Sequence, residues 1–174
     1  MQDNNETAIA YISDIVEKLK MISDNWRYFF NIKTGEYATI PDENYALISP
    51  QDKEIILNNP YLYKEITFDI NQKISVMQEF CHKLLKTNRE KALILLDTFN
   101  ISENSSPIPY SGNFHIANLE SKHLMQEFMK MVEKLDLTDQ YNKYFHNRCV
   151  TIAHKWCEEN SIYYEERKYE EVVL

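Results

Sequence analysis

With 174 residues, 44% of them hydrophobic and 13% aromatic, the chain can bury a real core without disulfide or metal staples, which excludes a disordered protein. A formal net charge of −8 argues against generic nucleic-acid binding, which needs clustered Lys and Arg to displace counterions. Three cysteines, an odd number in no framework spacing, suit a reducing compartment and argue against disulfides.

The opening MQDNNETAIAYISDIVEKLK lacks the basic segment and unbroken apolar run of a signal peptide, and no window reaches the apolar length of a membrane span. The expectation is a cytoplasmic protein that makes no membrane contact. Ile9, Ile12, Val16, Leu19 and Ile22 recur at threes and fours and predict a first helix over about 6–22. Trp26, Tyr28, Phe30 and Ile32 then alternate with Arg27, Phe29 and Asn31, which is strand periodicity. Lys33, Thr34 and Gly35 close a hairpin, Gly35 supplying the positive φ. Ser49 and Pro50 read as the cap and first residue of a short helix, and YLYKEITF, residues 61–68, as a third strand.

From Asn71 the period turns helical, with Ile74, Met77, Phe80, Cys81 and Leu84 on one stripe. Thr87 and Glu90 fit a capping box that opens the next helix, KALILLDTF. Residues 101–115, ISENSSPIPYSGNFH, read as an irregular loop whose Ile108, Tyr110 and Phe114 either tuck under the helices or grip a partner. Leu119, His123 or Leu124, Phe128, Val132 and Leu135 mark a further helix. Thr138 can cap the last and longest one. The fold class is α+β: a small antiparallel sheet, made of the hairpin and a third strand, packed with about five or six helices and followed by a helical C-terminal half. Residues 1–162 form one domain. Residues 163–174 form an acidic tail, and from Glu158 onward six acidic residues face only Arg167 and Lys168.

The sharpest chemical signal is HNRCVTIAHKWC, residues 146–157, with two HxxC pairs. At about 100° per residue, Tyr141, Phe145, Cys149, Ile152, Ala153 and Trp156 share an apolar arc. His146 and Cys157 lie on its flank, and His154 lies near the opposite face. His146 and Cys157 are about 16 Å apart along the axis, whereas zinc ligands must all reach one ion at about 2.0 to 2.3 Å. A closed zinc site would need Cys81 and His82 as well. Packing of Cys81 and Cys149 in the core, with the histidines at its margin or in solvent, is the simpler reading. Thiol catalysis would need an activated cysteine. Cys157 sits near a helix C-terminus beside Glu158 and Glu159, which disfavour the thiolate. No GxSxG, phosphate-cradling glycine loop, HExxH or EF-hand pattern occurs. No catalytic residue, metal or cofactor is therefore expected.

The order of NIKTGEY, YKEITF, QKISVMQEFCHKLL, TNREKALILLDTF and LTDQYNKYFHNRCVTIAHKWCEENSI resembles the bacterial family catalogued as uncharacterised protein family 0158, over residues 10–162. The most specific parts are KTGE, Lys33 to Glu36, and AxxWxxEN, Ala153 to Asn160. Family members carry an arginine-rich segment of GAFRRFKD type where this chain has SGNFHIANLESKHLMQEF. They also end the long helix with Asn-Gly, where Asn160 and Ser161 stand here, so Asn160 or a strained Ser161 must take the left-handed cap. The resemblance implies an α+β fold and no activity. The expected function is a non-enzymatic intracellular binding or regulatory protein, of immunity or inhibitor type, that acts on a protein partner. The alternative is a hydrolase or metal-dependent enzyme with a site assembled from distant segments.

Overall fold

A computed structural model describes residues 8–22, 26–41, 48–104 and 114–166, with the backbone alone over 114–119. The fold is α+β. The described elements are β1 (Ala10–Tyr11), α1 (Ile12–Met21), β2 (Trp26–Asn31), β3 (Tyr37–Pro41), α2 (Pro50–Asn58), β4 (Tyr63–Ile66), α3 (Ile70–Leu84), α4 (Arg89–Asp97), α5 (Phe114–Lys134), α6 (Thr138–Glu159) and β5 (Tyr164–Glu165). They gather into two compact units, one of residues 1–67 with 149–174 and one of residues 68–148. No helix among the described residues is long and apolar enough to cross a membrane.

In the first unit, β2 is the centre of a three-stranded antiparallel sheet of order β3-β2-β4. Its alternation is only half of its character, because Phe29 and Asn31 are buried as well as Tyr28 and Phe30. The reason is α2, whose Ile56 covers Phe29 and Ile40 on the face that the alternating pattern assigns to solvent. α2 itself starts as the sequence requires, with Ser49 as cap accepting from the Asp52 N–H and Pro50 in the first turn. On the other face, Lys18 of α1 lies over the rings of Tyr28 and Tyr37, and Trp156 of α6 meets Phe30 edge-on at 6.3 Å.

The first helix is shorter than its periodicity suggests. Residues 1–7 lie outside the described set, Ile9 is exposed, and Ala10–Tyr11 pair in parallel with Tyr164–Glu165 before α1 begins. The acidic C-terminal segment thus opens with a strand.

The second unit is four packed stretches of helix: α3, α4, α5 and α6 as far as Arg148. The stripe Ile74, Met77, Phe80, Cys81 and Leu84 faces its core, where Phe80, Phe128 and Tyr141 meet edge-on with centroids 5.2 and 5.3 Å apart. On α5 the inward residue is Leu124, and His123 faces solvent. Two caps differ from the sequence reading. Asn88, not Thr87, accepts the Lys91 N–H at the start of α4, while the Thr87 hydroxyl donates back to the Leu84 carbonyl. α6 starts at Thr138 itself, with the Leu137 carbonyl accepting the first N–H, from Tyr141. A full capping box does occur, at Asp69 and Gln72 of α3.

Three helices end alike. Asn100, Asp136 and Ser161 have φ of 53°, 53° and 55°. Each is followed by a residue whose N–H reaches back to the carbonyl five positions earlier: Ile101 to Leu96, Leu137 to Val132 and Ile162 to Cys157. These are Schellman caps built without glycine, in a chain with only two glycines to spend on such positions. One of the two, Gly35, has φ 75° and donates to the Asn31 carbonyl in the hairpin loop.

Two substitutions should therefore move stability in opposite directions. Gly35→Ala places a methyl group 3.3 Å from the Ala8 Cβ and forces an L-residue into left-handed backbone; it should cost about 1 kcal/mol or more. Ser161→Gly removes a left-handed L-residue and should add up to about 1 kcal/mol, less the extra freedom glycine gives the unfolded chain. Urea midpoints of both variants, compared with wild type at constant slope, measure this.

Candidate functional site

The HNRCVTIAHKWC stretch lies on α6, and its side chains diverge. Cys149 is fully buried, as is Cys81 on α3, where the thiol donates to the Met77 carbonyl. Cys157 is also fully buried, so the flank position read from helical geometry is corrected inward: Ile162 folds back under the last turn through the Schellman cap. Burial pushes the Cys81 thiol up to about 12, and burial together with Glu158 pushes the Cys157 thiol up to about 11. Neither is poised as a nucleophile near neutral pH.

The histidines face outward. His146 is exposed. His154 is half-buried, with its Nε2 2.7 Å from a Glu166 carboxylate oxygen and its ring stacked on Tyr164 at 5.1 Å. It is thus less bare than its place opposite the apolar arc suggests. Its partner is a carboxylate of the C-terminal segment and not a cysteine. Among the described residues, no three His, Cys, Asp or Glu side chains converge so as to hold a metal ion.

The stretch does contain a structural anchor in Trp156. The Ile32 N–H donates to the Leu62 carbonyl, and by antiparallel alternation Lys64 and Ile66 continue the hydrogen-bonded pairs with β2. The Glu65 carbonyl then points off the edge of the sheet, where the Trp156 Nε1–H donates to it at 2.8 Å. On the same strand the Glu65 carboxylate takes both the Nε and Nη2 protons of Arg27, each at 2.7 Å.

Of the loop residues read as a possible grip, Ile108 and Tyr110 lie outside the described residues. Phe114 is the first residue of α5, one turn earlier than the loop reading placed a helix, and its side chain is not among those described. Further along α5, Met125 and Met129 are one turn apart and line an open depression of about 550 Å³ with Gln126, Lys130, Glu133 and Thr138. Met129 is exposed, although it belongs to an amphipathic helix whose other face packs the core. Lys130 is held by Glu127 at 2.7 Å, so the rim carries fixed charge around an apolar floor. Sequence periodicity could not single out these methionines, because a methionine beside a core stripe reads as part of that stripe.

No family model matches the chain, and no curated protein or solved structure does either.

Two outcomes follow from this geometry. In the native protein a thiol reagent such as a dinitrobenzoate disulfide at pH 8 should modify the three cysteines far more slowly than in urea, and for Cys81 and Cys157 the native rate should still be rising above pH 9, because deprotonation favours the thiolate only as pH approaches their raised values. A single fast native thiol would contradict this. Trp156→Ala should cost about 3 to 5 kcal/mol through lost packing and a stranded carbonyl, whereas His154→Ala should cost no more than about 1 kcal/mol. Urea unfolding of both variants decides between a buried anchor and a buried histidine.

Proposed function

We propose that this chain is a non-enzymatic intracellular binding or regulatory protein, of immunity or inhibitor type, that acts through a protein contact made by the Met125 and Met129 face of α5. The observation that carries the reading is the exposed Met129 in an apolar depression with a charged rim, beside Met125, which lines the same depression while its other side packs against the core. Methionine suits such a surface because its unbranched, polarizable side chain adapts to a partner, and an apolar centre ringed by charge is the usual anatomy of an interface. The net charge of −8 supports a protein partner over nucleic acid. The raised Cys81 and Cys157 thiols and the outward His146 and His154 give the hydrolase or metal-enzyme alternative no support among the described residues. The likeness to uncharacterised protein family 0158 rests on the motif order alone and belongs to the same proposal.

A photo-crosslinking amino acid at position 129 tests it in the native host. The expected result is one discrete heteromeric adduct, absent when the crosslinker stands at the exposed Lys155 position and lost in the Met125→Lys variant. Adducts of the same kind from both positions, or none from position 129, would overturn the reading.

A further inference from the structure

We infer that the groove between the last turn of α3 and the first half of α6 is a binding site for a small organic anion, its acidic head held by Lys83 and Lys143 and its apolar body lying on Phe80, Leu84 and Tyr144. The groove encloses about 200 Å³, somewhat more than the ~150 Å³ that accommodates a benzene ring in an apolar cavity. That sets the ligand's size at a single ring or short chain plus its head group. Phe80 and Leu84 form a buried floor, and Tyr144 a half-buried wall.

The rim is made of donors. Besides the two ammonium groups it carries the Gln140 and Asn147 amides and the Thr87 hydroxyl, and no carboxylate. In a chain with 27 acidic against 19 basic residues, a lining of this size with cations and no anion is a local reversal of the overall charge. Lys83 is oriented in advance, its Nζ 5.2 Å from the centre of the Tyr144 ring. The side chains of Lys143 and Gln140 make no hydrogen bond or ion pair with other described residues and are available to a ligand.

Glu79, the carboxylate bonded to the Tyr144 wall, is engaged elsewhere: Arg148 Nε lies 2.9 Å from it and the Tyr144 hydroxyl donates to it at 3.3 Å. The C-terminal end of α3 opposes an anion with roughly half a unit of negative charge. It is partly quenched, because the Leu84 carbonyl accepts from the Thr87 and Asn88 N–H groups and from the Thr87 hydroxyl. Two full positive charges outweigh it.

The site is independent of the α5 face and stands whether or not that face meets a partner. Its test is an amide NMR titration of the full chain with benzoate and phenyl phosphate as probes, benzyl alcohol as the neutral arm and inorganic phosphate as the charge-only arm. One or both aromatic anions should saturate at millimolar concentration or below and shift the amides around Lys83 to Thr87 and Lys143 to Asn147. Whichever anion binds more tightly identifies the head group as carboxylate or phosphate. Lys83→Gln and Lys143→Gln, both at exposed positions that leave folding intact, should each weaken binding about fivefold, the scale of one exposed ion pair, and added salt should weaken it further. Lys155→Gln should leave it unchanged. The inference fails if neither aromatic anion saturates, if benzyl alcohol or inorganic phosphate binds as tightly as they do, or if both lysine variants keep the wild-type affinity.

Discussion

The bond from the Trp156 indole to the Glu65 carbonyl is the constraint on which the first unit is arranged. A three-stranded sheet has two edges, and a buried edge carbonyl left without a donor costs about 1 to 3 kcal/mol. Trp156 satisfies that carbonyl while spending its ring on Phe30. A single residue thus fixes both the position of the last turns of α6 along β4 and their height above the aromatic face. No aliphatic side chain could do both, and a tyrosine would bring its polar atom to a different distance from the helix. The cap beyond Trp156 is local, the Ile162 N–H reaching back to the Cys157 carbonyl as the corresponding residues do at the ends of α4 and α5.

Much of the architecture was legible from periodicity because its elements bury single stripes. The α3 stripe, the α6 arc, the hairpin, the third strand and the Ser49-Pro50 start were all readable from local spacing. What escaped was non-local or depended on a neighbour. The β1 and β5 pair is two residues from each end of the described chain, too short for any alternation and joined across more than 150 positions. Phe29 reads as solvent-facing until α2 is known to lie over it. The α4 cap slipped by one residue because Thr87 and Asn88 are adjacent and both competent. Backbone geometry, with Asn88 outside the helical region and Thr87 turned back on Leu84, decides between them.

The chemistry was harder to read than the fold, for a related reason. The HxxC pairs are a sharp signal in sequence because cysteine and histidine are rare, yet on a helix they radiate, and the core takes the sulfur atoms. The surfaces that do suggest binding are made of common residues. Lys83 and Lys143 are sixty positions apart and become neighbours only when α3 and α6 pack. Met129 differs from core methionines only in what faces it, and Met125 lines the same depression while packing against the core. In neither case does spacing along the chain carry the signal.

Asn31 has a role beyond its loop. Its side-chain oxygen accepts the Lys33 and Thr34 N–H groups, its own N–H donates to the Glu36 carbonyl, and it stands opposite Tyr63 on the neighbouring strand, buried among aromatics. In most half-buried strands the two faces differ, so a slip by one residue is punished along the whole strand. β2 has apolar side chains on both faces, and that penalty is weak. A shift would nonetheless carry the Asn31 carboxamide away from the turn amides it satisfies and leave it stranded against hydrophobic neighbours. One buried polar group thus ties the end of β2 to the turn that joins it to β3, a specificity that its hydrophobic pattern alone could not supply.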